Sequence, residues 1–236
     1  ENRYHLYVSK ENEDKYKKNS KLIKIISDKL LKERVKRIKP ATDKKILVSW
    51  NALAISGLIE AYKLTNNQLY YESAKKSYSF IKEKMWKDNK LYACYHDKPQ
   101  FDGYLDDYAF LSKACLDLLR INWGNDEYIF LIQLVDKVLE NFQDKDNGGF
   151  YFSSVDQKDL IYRPKSFMDE SMPSGNSMMA NILSEIYELT GESKYLEAMD
   201  NTFKAASDSI ERSNVSHCSL YINANTTLTS KRLVII

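Results

Sequence analysis

The sequence is short of the residues that interrupt regular structure. Only seven Gly and four Pro fall among 236 residues, so long helices are open to it and Gly-rich or Pro-rich architectures are not. Its three Cys, at 94, 115 and 218, are far apart and odd in number, with no C-x-x-C. That spacing excludes a disulfide-dense scaffold and a Cys-based zinc site, leaves room for one disulfide at most, and fits a reducing, cytoplasmic setting. His5, His96 and His217 are equally scattered, so no metal ion is expected. No apolar run reaches the length of a membrane span, and no signal peptide is visible in these residues. A P-loop, a dinucleotide fingerprint and a Ser-His-Asp order are all missing, so no cofactor is expected. The net charge is only +2. The basic residues crowded between Lys29 and Lys45 are compensated elsewhere and read as a solvated helix face, not a nucleic-acid surface.

What remains is ordinary globular material: 43% hydrophobic, 29% charged and rich in Tyr. It is enough for a substantial core, and residues 1–236 read as one domain. The chain begins with Glu and stops on Leu233-Val234-Ile235-Ile236, and both ends read as cuts through a longer polypeptide.

An internal repeat organises it. At an offset of 125, SWNALAISGLIEAYKLT from Ser49 lies over SGNSMMANILSEIYELT from Ser174, matching Ser49, Asn51, Tyr62, Leu64 and Thr65 to Ser174, Asn176, Tyr187, Leu189 and Thr190. The same offset aligns the text after Tyr70 with that after Tyr195. A weaker middle copy, at an offset of 58, pairs Ser49 with Asp107, Trp50 with Tyr108 and Leu53 with Leu111. The unit is a helix, a tight turn and a second helix. First helices are predicted over roughly 46–65, 105–122 and 174–190, apolar almost all round and therefore buried. Second helices over 68–86, 126–143 and 192–212 carry one apolar stripe. Asn66, Gly124 and Gly191 are placed to end first helices in the left-handed conformation, and Asn125 and Ser193 to cap the second helices. Segments 91–104 and 147–165 alternate enough for short β-hairpins, and a further helix is predicted over 12–38. The expected fold is mainly α: repeated αα-hairpins forming part of a toroid or solenoid.

Three triplets open the buried helices: SWN at 49–51, DDY at 106–108 and SGN at 174–176. The repeat places them at equivalent positions, so they should gather at one end, where helix N-termini suit anionic or hydroxyl-rich ligands. Trp50 and Tyr108 would add flat faces for sugar rings. Asp106 and Asp107 suggest acid/base chemistry, but neighbours on a helix point about 100° apart, so a catalytic partner must come from another unit: Asp43, Asp102, Asp169 or Glu170. Within YRPKSFMDESMPSGN (162–176), Arg163 and Lys165 are fitted to hold a carboxylate or phosphate. Simple capping and local charge pairing are the competing explanations for all of these residues.

The blocks DKKILVSWNALAI (43–55), GYLDDYAFL (103–111) and GGFYFSSVDQKDLIYRPKSFMDESMPSGNS (148–177) resemble the spermatogenesis-associated protein 20 family, which includes the YyaL-like bacterial proteins. The resemblance covers about residues 12–236. It implies an (α/α)6 toroid of the six-hairpin glycosidase type, of which this chain would be the later part, with a thioredoxin-like domain and the first hairpins lying outside it. It also implies that the terminal Leu-Val-Ile-Ile starts a strand. The recurrent polar residues it implies are Asp43, Lys45, Ser49, Trp50, Asn51, Asp107, Tyr108, Arg163, Pro164, Lys165, Ser174, Gly175 and Asn176. One departure is the histidine that relatives carry before Asp43, which is Ala41 here. The expectation is a carbohydrate-active site, hydrolase or epimerase. Asp107 would be catalytic with Asp43 or Asp169, and Lys45, Trp50, Asn51, Asp106, Tyr108, Arg163, Lys165, Ser174 and Asn176 would bind a sugar-like substrate. The alternative is a non-catalytic module serving a redox domain. Neither a nucleic acid nor a membrane is an expected partner. Self-association is expected, because an incomplete toroid leaves apolar helix faces uncovered.

Overall fold

The computed structural model describes residues 7–229, which divide into two units between Lys44 and Lys45. In the first, a 3-10 turn (Lys10–Asn12) leads into α1 (Glu13–Lys18) and α2 (Ser20–Val35). The helix predicted over 12–38 is broken at Asn19, whose side-chain amide bonds back to the Lys15 carbonyl at 2.8 Å, a local alternative to the helical ladder that Asn readily supplies. None of the described residues of this unit is buried, and Leu22, Ile25, Ile26 and Leu30 of α2 are exposed.

The second unit repeats helical hairpins. α3 (Val48–Thr65) and α4 (Gln68–Lys84) form the first, α5 (Leu105–Ile121) and α6 (Asn125–Asn141) the second, and α7 (Gly175–Thr190) and α8 (Ser193–Arg212) the third. α9 (Cys218–Thr229), which the repeat did not foretell, comes after them. α3 packs on α5, α5 on α7 and α7 on α9, while each second helix packs on its own first helix. This is the layering of an α/α toroid. α5 is buried nearly all round, as its composition predicts, and α6 buries the stripe Phe130, Leu131, Leu134, Val135 and Val138. Each such side chain contributes about 1.5–3 kcal/mol when fully buried.

The turns only partly follow expectation. Asn66 and Gly191 take left-handed C-cap conformations, at φ 53° and 70°. Gly124 does not. Its φ is −142°, and it is the N-cap of α6, while Asn125 and Ser193 are first helical residues rather than caps. Asn122 and Gly124 are both extended, so the link between α5 and α6 makes its turn without the left-handed region.

Strands β1 (Ile46–Leu47), β2 (Trp86–Lys87), β3 (Lys90–His96) and β4 (Lys98–Asp102) make a small antiparallel sheet. The predicted first hairpin is β3–β4, with Tyr92 opposite Asp102 and Cys94 opposite Gln100. The second predicted hairpin is absent: among residues 147–165 only Phe150 makes a bridge, to Gln143. The backbone there bonds elsewhere. The Phe150 N–H goes to the Asn176 side chain at 2.7 Å and the Phe152 N–H to the Pro164 carbonyl at 2.7 Å, and Pro164 has no N–H to return. Among the described residues the three cysteines are free thiols, and no helix is long and apolar enough to cross a membrane. The C-terminal Leu-Val-Ile-Ile and His5 lie outside the described residues.

Candidate functional site

The three triplets do come together at the first turns of α3, α5 and α7. One oxygen of Asp107 accepts the N–H of Ser49 at 3.0 Å, and the other accepts that of Tyr104 at 2.9 Å. Asp106, one residue earlier, accepts the N–H of Gly175. A Cβ at 175 would collide with Asp106 Oδ1 and the Leu105 side chain, so only glycine lets α7 start this close to α5.

The adjacent aspartates have opposite environments. Asp107 is 4% exposed and ties two helix N-termini together with both oxygens. Burial raises its pKa, against the pull of the N–H groups of Tyr104 and Ser49. Asp106 faces a cavity of about 250 Å³ whose wall includes Leu105, Phe152, Met168, Glu170, Met172 and Ser174. Burial, then the neighbouring Asp107 charge, push its carboxyl up to about 6, with Glu170 adding to the effect and the Gly175 N–H opposing it. A carboxyl at that value exchanges its proton near neutrality, which suits general acid/base work. Phe152, half-exposed, stacks on Tyr104 with ring centroids 4.8 Å apart and presents a flat apolar wall.

The long connection from Phe142 to Ser174 builds this cavity. Asn176, 1% exposed, pairs with the Phe150 N–H and carbonyl as a strand would, and donates also to the Ser166 carbonyl at 2.9 Å. Arg163 donates to the carbonyls of Ser153 and Asn141 and lies over the Tyr151 ring. Lys165 bonds Asp144 at 2.6 Å and the Gly148 carbonyl at 2.8 Å. Burial alone would raise the Asp144 carboxyl. Lys165, the Asn147 N–H and Tyr151 outweigh it and hold the carboxyl well below the usual range. Asp169 accepts the N–H of Ser174 at 2.9 Å and that of Ser219, at the start of α9, at 2.8 Å. It staples the first turns of α7 and α9 as Asp107 staples those of α3 and α5. Ser174 caps α7 through the Ser177 N–H.

Of the sequence candidates, the structure therefore gathers Asp106, Glu170, Ser174 and Asn176 on one cavity wall. Tyr108 is buried, with its hydroxyl accepting the Leu91 N–H. Asn51 donates to the Leu47 carbonyl. Trp50 is 63% exposed and off that wall, and Lys45 is exposed. Asp43 belongs to the first unit. Phe152, Tyr104 and the two methionines were not singled out from sequence, because an aromatic or Met in a loop has no periodicity to mark it. Among the described residues no group of three or more His, Cys, Asp or Glu is placed to hold a metal ion.

Paired helices in a curved array, with a carboxylate-lined cavity at the N-terminal ends of the first helices, define a segment of an (α/α)6 toroid. The family model for Glycosyl Hydrolase Family 88 matches residues 24–228, and the chain belongs to that family. Among curated proteins it is 28% identical to Uncharacterized protein B0495.5 of Caenorhabditis elegans over 184 residues, covering 74% of this chain. It is 27% identical to human spermatogenesis-associated protein 20 over 197 residues, 78% of this chain. The chain spans 25% of the length of each of these relatives.

Solved structures share the fold. The GH76 alpha-mannanase of Bacteroides thetaiotaomicron aligns with a TM-score of 0.58 at 20% identity, over 72% of this chain and 47% of that one. The cellobiose 2-epimerase of Spirochaeta thermophila aligns at 0.56 and 16% identity, over 69% and 43%. An inactive alpha-1,6-mannanase variant from Salegentibacter, in which two consecutive aspartates are asparagine, was solved with alpha-1,6-mannotriose and aligns at 0.55 and 17% identity, over 70% and 47%.

Proposed function

We propose that this chain carries a carbohydrate-active site, of glycoside hydrolase or sugar epimerase type, in the cavity at the first turns of α5 and α7. The observation that carries the reading is the place of Asp106 on the cavity wall, beside Glu170, where burial and then the Asp107 charge push its carboxyl up to about 6. Both reaction types need a group that gives and takes a proton close to neutral pH. Asp106 is the acid/base residue and Glu170 the second carboxylate of the cavity. Asp107, with both oxygens engaged by backbone N–H groups, positions Asp106 and the start of α3. A mannanase of the same fold is inactive when two consecutive aspartates are replaced, and this chain too carries two consecutive aspartates, Asp106 and Asp107. Membership of a glycosyl hydrolase family supports the same reading.

A non-catalytic binding module is the competing reading. It draws on the backbone bonding of Asp107, Asn176 and Ser174. The test is Asp106→Asn in the full chain, assayed for reducing-sugar release and for C2 epimerisation against a panel of glycosides. Loss of at least about a hundredfold in turnover with unchanged far-UV circular dichroism is expected. Full activity in the variant would remove Asp106 from the chemistry. Sugar binding by the wild type with no turnover on any substrate would favour the module.

A further inference from the structure

Two residues that the sequence singled out lie off the wall described above. Asp102, a candidate partner for the paired aspartates, and Tyr108, which ends the DDY triplet, line a second cavity instead. It holds about 170 Å³ between the β-sheet, the end of α6 and the loop that follows α6. Its lining residues supply both acceptors and donors: the carboxylates of Asp102 and Asp156, the Lys137 ammonium, the Asn141 amide, and the hydroxyls of Tyr108 and Ser154. The last two residues are 3% and 5% exposed. Tyr108 accepts the Leu91 N–H at 3.1 Å and Ser154 the Asp156 N–H at 3.2 Å, which fixes each oxygen and leaves each hydroxyl proton for donation. Burial raises the Tyr108 hydroxyl to about 12 against the pull of that N–H, and the charges of Asp102, Asp107 and Asp156 add to the rise. Asp102 is itself anchored by Lys90 at 2.7 Å.

The two cavities adjoin. Gly103 lines the second and Leu105 the first, with Cα atoms at most about 7 Å apart. Ser154 lines the second and Phe152 the first. Tyr104, between Gly103 and Leu105, stacks on Phe152 at this junction. We propose that the second cavity is a subsite for a further unit of the saccharide whose reacting unit sits beside Asp106, so that the substrate is an oligosaccharide and not a single sugar. This rests on the carbohydrate reading above and deepens it. A pyranose presents neighbouring hydroxyls that both donate and accept, and a wall carrying both kinds of group pairs with them. One ring fits a space of this size, and one or two sugar units cross the gap between the cavities. A ligand without hydroxyls would leave the buried Tyr108 and Ser154 protons unpaired, which costs affinity. A saccharide running from one cavity to the other passes the half-exposed Phe152 ring, an apolar surface on which a sugar face packs.

The test uses ligands that differ only in length: methyl mannoside and the thio-linked methyl glycosides of mannobiose and mannotriose, with the corresponding gluco series. Sulfur in the linkage resists hydrolysis, so binding is read without turnover. Isothermal titration calorimetry is run on the wild-type full chain and on its Asn141→Ala and Asp156→Ala variants, with far-UV circular dichroism as the check on folding. In the wild type, the trisaccharide of one series should bind about tenfold or more tighter than its methyl glycoside. That ratio should fall to near one in each variant. Asp156 is exposed, so its variant keeps the fold and decides the matter if Asn141→Ala does not. A ratio near one in the wild type, or one that survives both substitutions, overturns this inference and leaves the carbohydrate reading standing. If no member of either series binds at millimolar concentration, the carbohydrate reading falls and the inference falls with it.

Discussion

Between α4 and α5 the chain folds back on itself as a ladder, and between α6 and α7 it does not. In the first connection β3 and β4 satisfy each other's backbone groups along the ladder, and side chains add only single bonds, as from the Leu91 N–H to Tyr108 and from Gln100 to the His96 carbonyl. In the second, side chains share that task with scattered backbone bonds: Asn176 stands in for a strand opposite Phe150, Arg163 gathers two carbonyls, and Asp169 caps two helices. An irregular path leaves polar backbone that must be paired when buried, and polar side chains supply the partners. The cost is that a loop rich in Arg, Lys, Asp and Asn resembles a binding site while most of those residues serve the fold. The gain is a concave wall at the helix N-termini, which a flat hairpin could not make.

Substitutions in the two connections should separate ladder from loop. The largest effect is expected for Asn176→Ala, which removes three bonds from a buried position. It should lower stability by about 3 kcal/mol in urea unfolding. Lys165→Met comes next, at about 2 kcal/mol, since it leaves the Asp144 carboxylate without its cation. The sign is defined. A carboxyl held below its ordinary pKa stabilises the fold above the usual carboxylate range, and that contribution is lost as pH falls through the depressed value. Wild type should therefore lose stability on acidification more steeply than the variant. Arg163→Lys, which keeps the charge but not the fork reaching both carbonyls, is expected to cost about 1 kcal/mol.

Asp106→Asn should run the other way. Its pKa is raised to about 6, so its ionisation destabilises the fold as pH rises through that value. The variant should gain about 1 kcal/mol at neutral pH, allowing for solvent screening, and nothing below about pH 4. Thermal melts across that range measure it, and a gain in stability paired with lost turnover is the signature of a functional carboxyl. Smallest is Asp97→Gly at the exposed tip of the ladder, where φ is 61°; a change within about 0.5 kcal/mol is expected in the same melts.

Much of this was legible in the residues. Periodicity and the offset-125 repeat located the six paired helices to within about two residues, because burying an apolar face leaves a trace in every turn. The convergence of SWN, DDY and SGN was legible for the same reason. The division of labour inside those triplets was not. Asp106 and Asp107 are the same residue type one position apart, and only the placement of α3 and α7 on either side of α5 decides which faces the cavity. Nor could sequence show that Arg163 and Lys165 point into the protein, since their partners are carbonyls, which every residue carries, and an Asp some twenty positions away.

Local pattern and repetition were enough to set the helical hairpins, their order and the end of the array at which polar residues collect. Packing of the hairpins against one another, and nothing short of it, settled which polar groups are left over after the backbone has been satisfied. That remainder depends on distances between segments far apart in the chain, and it is what makes Asp106, rather than its neighbour, available for chemistry.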